Sequence, residues 1–143
     1  MEKNQKLIFI SWIVVSLSVF GSLFFSEIME LPPCKLCWFQ RIFMYPIFFI
    51  YITGLKYTDE MTVIFTLPLI SIGWAISVYH NLIQLEIIPE SISPCSEGVP
   101  CSVKYIEWGG FITIPLLSFF AFSTLGIIAL IILKRSKQIS GQK

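Results

Sequence analysis

Charge is what this sequence has least of. Asp, Glu, Lys and Arg together make up 13% of 143 residues, against about 25% in an ordinary soluble domain. The few charges also cluster, and between Lys6 and Glu27 there are none at all. The net charge of +1 says nothing about nucleic acid, and no basic stripe suggests it as a partner. No internal repeat or low-complexity segment occurs. The first apolar run exceeds the usual core of a signal peptide, and no small-x-small cleavage site follows it, so it reads as a retained helix. These absences leave a membrane protein, and the abundance agrees. Hydrophobic residues are 55% of the chain and the mean hydropathy is +0.78.

A helix needs about 20 apolar residues to cross a bilayer, and four runs qualify. They cover about residues 7–26, 34 or 38 to 55, 62–82 and 111–133. Pro46, Pro68 and Pro115 fall within the last three, which membrane helices tolerate when neighbours satisfy the freed carbonyls. Short links favour an up-and-down arrangement. The expected fold is all-α, a single integral membrane domain over 1–143 forming an antiparallel four-helix bundle.

Lys and Arg set the orientation. Lys3, Lys6, Lys56, Lys134, Arg135, Lys137 and Lys143 lie on one side, while the other two loops hold only Lys35 and Lys104, with Arg41 at a boundary. Both termini are therefore expected in the cytoplasm. The loops at about 27–37 and 83–110 then lie outside, where disulfides persist. Those loops hold all four cysteines and six glutamates: Glu27, Glu30, Glu86, Glu90, Glu97 and Glu107. The acidity fits a solvated face or a docking surface for a partner.

Pro32-Pro33-Cys34-Lys35-Leu36-Cys37 places a CxxC pair at the mouth of the second helix, because proline suits the first turn and not the interior. Free N–H groups at a helix start stabilise a thiolate, making the sulfur a nucleophile and a leaving group. A disulfide closing so short a loop constrains the unfolded chain little, so the pair suits opening and closing better than stapling. Spacings of three, four and seven put Cys34, Cys37 and Arg41 on one helix face, with Tyr45 a turn deeper. Arg41 could stabilise a thiolate and an anionic, partly reduced ligand there, or snorkel to headgroups. His80, near the outer end of the third helix, matches that depth. It could donate to a carbonyl oxygen or deliver a proton, or be an interfacial histidine satisfied by backbone.

The second pair, Cys95 and Cys101, is preceded on both sides by proline (Pro94, Pro100) and turned by Gly98. Exposed, turn-like backbone is expected for it. Two pairs at different heights suit a relay, one facing soluble proteins and one facing the membrane. Residues 82–89 alternate apolar runs with Gln84 and Glu86 and suggest a segment lying on the membrane surface. Trp108-Gly109-Gly110 suggests a headgroup-level tryptophan beside a hinge.

Cys34-Lys-Leu-Cys37-Trp-Phe-Gln-Arg41, His80-Asn-Leu-Ile-Gln-Leu85 and Trp108-Gly-Gly-Phe-Ile-Thr-Ile-Pro115, in that order across four spans, resemble the DsbB family of disulfide bond formation proteins, and its short BdbC-type members most. The resemblance covers nearly the whole chain. It implies a multi-pass thiol-quinone oxidoreductase of the bacterial cell membrane, monomeric, that reoxidises an extracytoplasmic thioredoxin-like thiol oxidase (DsbA- or BdbD-like) and so drives disulfide formation in exported proteins. The electron acceptor is a membrane quinone, menaquinone or ubiquinone. By the same resemblance Cys95 is attacked by the partner's thiolate, Cys101 exchanges with Cys34, Cys37 faces the quinone, and Arg41 and His80 line the quinone site. No metal is implied. One departure is plain: only five residues separate Cys95 from Cys101, where the best-known members have a much longer segment. Other classes use the same residues differently. A zinc or cluster protein would take the cysteines as ligands, although a Cys-x5-Cys pair fits that spacing poorly. A structural bundle would hold two stabilising disulfides and leave Arg41 and His80 incidental. A quinone-coupled reductase, or a vitamin K epoxide reductase-like enzyme, would run related chemistry.

Overall fold

The computed structural model describes residues 2–57, 60–89, 95, 99–102 and 113–140. Four helices account for most of them: α1 (Glu2–Leu23), α2 (Lys35–Tyr57), α3 (Glu60–Gln84) and α4 (Ile114–Ser140). Each contains a stretch long and apolar enough to cross a membrane. In such surroundings a helix is favoured because it pairs every backbone polar group within the segment. Hydroxyls follow the same rule by bonding back along their own helix, as Ser16 Oγ does to Trp12 O (2.6 Å) and Thr66 Oγ1 to Thr62 O (3.0 Å).

Successive helices pack side by side and α1 closes against α4, giving a four-helix ring. The all-helical bundle expected from hydropathy is what forms. Leu17, Phe20, Phe49, Phe65 and Leu130 point outward, and Ile8, Val15, Ile47, Tyr51, Val63, Ile70, Phe122 and Leu125 fill the centre. Small residues let helices approach closely: a Cβ on Gly73 would run into the Phe122 ring of α4. Asn81 Nδ2 donates to Pro115 O (2.9 Å), tying the end of α3 to the start of α4.

Two boundaries shape the site. α1 does not stop at Leu23 but widens into a π-helical turn, Phe24–Ile28, closed by Met29 N–H donating to Phe24 O (3.1 Å). Glu30 then takes a left-handed φ of 53° and the chain turns towards Pro32 and Pro33. At the start of α2, Trp38 N–H donates to Cys34 O (3.1 Å), so Cys34 caps the helix and Cys37 sits in its first turn.

At 82–89, α3 runs on through Gln84, and residues 85–88 form turns with Glu86 at φ 59°. Leu82 carries the termination: its carbonyl accepts from Ile87 N–H (3.1 Å) and Ile88 N–H (3.3 Å). The segment Trp108-Gly109-Gly110 and the residues Glu90, Glu97, Lys104 and Glu107 lie outside the described residues.

Candidate functional site

The cysteines gather at one end of the bundle in a single buried cluster with Leu36 and Ile83, packed against Tyr79, Ile88 and Val99. Cys34 and Cys37 are free thiols with their sulfurs 3.2 Å apart. Cys95 and Cys101 are joined to each other. Turn backbone at this outer pair agrees with the prolines that precede it, but exposure does not. Both residues are only 2% exposed. The proline signal reports local backbone, whereas burial comes from the docking of the pair on the ends of α2 and α3.

His80 is the hinge pin of that docking. It is 2% exposed, and its Nε2 lies 3.3 Å from Cys101 O and 3.7 Å from Cys34 Sγ. Its other nitrogen, Nδ1, lies 3.4 Å from Gln40 Nε2. One imidazole thus touches the membrane pair, the outer pair and α2. The Cys37 thiol and then His80, both facing Cys34, hold its thiol well below the ordinary range, and burial only partly opposes them. Its place at the helix start adds the free N–H groups of the first turn.

Arg41 reaches across to α1. Its Nε donates to Ser22 Oγ (2.7 Å) and its Nη2 to Ser22 O (2.8 Å), two charge-assisted bonds across to α1 just before the π turn. The guanidinium also lies 5.6 Å from the Trp38 ring centre. A π turn displaces the regular bonding ladder, and such turns are frequent at functional sites. Ser22 had no mark in the sequence, because its role depends on α1 standing beside α2. Gln40 was visible only as a polar residue three positions after Cys37.

Between α1, α2 and α4 is a cavity of about 330 Å³. Cys34, Cys37, Arg41, Tyr45, His80 and Cys101 all line it, against apolar walls that include Leu17, Met44 and Leu117. Its size and lining, mostly apolar with a few convergent polar groups, are those of a small-molecule site. The sulfurs of Cys34 and Cys37 and a ring nitrogen of His80 lie within 4.8 Å of one another. A four-cysteine metal site is not assembled, since Cys95 and Cys101 are bonded together.

The fold and these contacts define a class: a four-helix membrane protein with two cysteine pairs stacked beside an apolar cavity. Residues 4–132 match the family model described as "Disulfide bond formation protein DsbB". The chain is 42% identical over 137 residues to disulfide bond formation protein C of Bacillus subtilis (strain 168), covering 96% of this chain and 99% of that protein. It is 39% identical to probable disulfide formation protein C 1 of Bacillus anthracis, over 93% and 96% of the two chains. A probable disulfide formation protein of Oceanobacillus iheyensis is likewise 39% identical, over 93% and 92%. No solved structure matches the chain significantly. The chain belongs to the DsbB family of disulfide bond formation proteins, and within it to the group of the C-type proteins of Bacillus.

Proposed function

We propose that this protein is a thiol-quinone oxidoreductase that reoxidises an extracytoplasmic thioredoxin-like thiol oxidase. The observation that carries the reading is the single cavity bounded by Cys37, Arg41, His80 and Cys101, which joins the two cysteine pairs to one apolar space open to a lipid-soluble ligand. Family membership supplies disulfide formation, and the cavity supplies a place for the acceptor.

The relay balances as two exchanges. A partner dithiol gives two electrons to the Cys95–Cys101 disulfide, leaving the partner oxidised and the outer pair as thiols. The Cys101 thiolate then attacks the Cys34 sulfur of a Cys34–Cys37 disulfide, and Cys37 leaves as a thiolate. Cys95 attacks Cys101, reforming the outer disulfide and releasing Cys34. Four facts fit the stage reached: outer pair bonded, inner pair reduced, His80 bridging Cys34 and Cys101, and a helix start beneath Cys34. Because Cys95 is 2% exposed in this docked position, a partner reaches it only when the outer pair has moved away from α2.

The residues lining the cavity suit a quinone. Apolar walls would hold its ring and tail, and Arg41, fixed by Ser22, presents positive charge beside Cys37. When bound, a quinone would supply a two-electron acceptor; the Cys37 thiol holds one of the two protons it needs, and the other comes from outside the pair, since Cys34 is held as a thiolate. Arg41 then favours negative charge on this face of the cavity. For a two-electron couple about 30 mV corresponds to about 1.4 kcal/mol, so a favourable acceptor draws both exchanges forward.

The placement in the membrane follows the same reading, with both termini in the cytoplasm and the cysteines outside. Charge bias supports it, and the contact of Ser136 Oγ with Glu60 Oε2 (2.6 Å) puts the start of α3 and the end of α4 together at one end. The test is quinone absorbance on mixing purified protein, a quinone (menaquinone or ubiquinone analogue) and a reduced thioredoxin-like partner. Loss of oxidised quinone that disappears in Cys37→Ser is expected. Full turnover by Cys37→Ser would overturn the mechanism, and no turnover by folded wild type with either quinone would overturn the function.

A further inference from the structure

We propose that Gln40 is a positioning residue that fixes the proton of His80 on Nε2, so that the ring latches the outer disulfide over Cys34. The carbonyl oxygen of Cys101 can only accept, so the contact at 3.3 Å is a hydrogen bond only if Nε2 carries the proton. A neutral ring protonated at Nε2 has a bare Nδ1, and a bare Nδ1 needs a donor. Gln40 Nε2, 3.4 Å away, is that donor, and it is the amide orientation under which all contacts of the ring agree. The alternative fails at Cys101. With the proton on Nδ1 the Gln40 amide could turn its oxygen to the ring, but bare Nε2 would still face the Cys101 oxygen, acceptor against acceptor.

Burial gives the choice its weight. Gln40 is 7% exposed and His80 2%, so water is a poor substitute for either partner, and an unmet polar group in such surroundings is costly. The Nε2–H so fixed lies between two acceptors, the Cys101 carbonyl and, at 3.7 Å, the Cys34 sulfur. It therefore does two things at once. It holds the backbone of Cys101 against α3, and it favours negative charge on the sulfur that exchanges with Cys101. Gln40 itself acts only through His80, and its kinetic consequence rests on the relay reading above.

The chain contains one histidine, so protein labelled with nitrogen-15 at histidine reports His80 alone. In the intact wild-type protein, reduced at the membrane pair, the nitrogen shifts should show a protonated Nε2 and a bare Nδ1. Gln40→Met keeps the length and removes the donor, and the two tautomers should then mix. Gln40→Glu offers an acceptor, so Nδ1 should become protonated. Partner-driven turnover of Gln40→Met should fall roughly threefold to tenfold, the size of one lost neutral hydrogen bond. A wild-type ring protonated at Nδ1 and bare at Nε2 would overturn the proposal at once. So would a Gln40→Met ring with an unchanged tautomer, even if turnover fell, since that loss would then be structural. The nitrogen shifts need no quinone and no partner. Failure of the wild-type quinone reaction would therefore count against the proposed function and leave the tautomer result standing.

Discussion

Where Glu60 meets Ser136, the bundle is held by Ile8, Val63 and Ile132, residues that need only fill space. At the cysteine end the same four helices enclose His80, Gln40, Arg41 and two sulfur pairs, each of which needs a partner in a particular direction. Apolar packing is non-directional, so any residues of suitable volume and pattern bring helices together. Hydrogen bonds are directional and fail when a partner is missing. The first region should govern whether the protein folds and the second whether electrons move. Substitutions should separate the two.

The largest effect falls on chemistry alone. Cys37→Ser should remove quinone-dependent turnover completely while the protein keeps its helical circular dichroism and melting behaviour. Next comes an effect on the fold alone. Leu125 is fully buried in the apolar region, and Leu125→Ala should cost about 2–5 kcal/mol, as large-to-small core changes do. Equilibrium unfolding in mixed micelles measures it, and the KM for quinone should stay unchanged. If KM rises tenfold instead, the two regions are not separable.

Arg41→Ala removes charge-assisted bonds of about 1.5–3 kcal/mol. It should raise the KM for quinone about tenfold to a hundredfold while thiol exchange between the two pairs, followed by trapping and mass spectrometry, continues. Ser22→Ala removes one of the two anchors of Arg41 and leaves the carbonyl. A rise in KM of roughly twofold to tenfold is expected from the loss of one bond. The smallest change is spectroscopic. Cys34 has its thiol pKa lowered from 9.0, so reduced protein should show ultraviolet thiolate absorbance at neutral pH. The thiolate is favoured by the fold relative to the unfolded chain. This contribution is complete above the ordinary thiol range and is lost as pH falls through the lowered value. Cys34→Ser should abolish the absorbance, and a transition at the ordinary thiol pH would contradict the arrangement.

The apolar region was legible in the sequence because hydropathy and length are properties of one segment at a time. The bundle and the place of Cys34 and Cys37 at a helix start both follow from local pattern, Pro32 and Pro33 included. What escaped lies between segments. Nothing near Arg41 says that Ser22, nineteen residues earlier, will face it, so its alternatives were a thiolate and anionic ligand or the headgroups, and this anchor was not among them. Nothing around Cys95 says that its turn will be covered, so turn chemistry read as exposure. At 82–89 the apolar pattern was real, but α3 absorbed its first part and the left-handed Glu86 ended the helix. His80 was visible as a depth match. Its contacts with Cys101 and Gln40 required three separate segments to be in place.

If the two cysteine pairs form one relay, a disulfide between them can be trapped, and trapping it is the most direct measurement. Cys37→Ser with Cys95→Ser leaves Cys34 and Cys101, whereas Cys37→Ser with Cys101→Ser leaves Cys34 and Cys95. After mild oxidation in membranes, mass spectrometry should find the Cys34–Cys101 disulfide formed rapidly and within one chain, and Cys34–Cys95 slowly. Faster formation of Cys34–Cys95, or no bond within the chain in either variant, would contradict the relay.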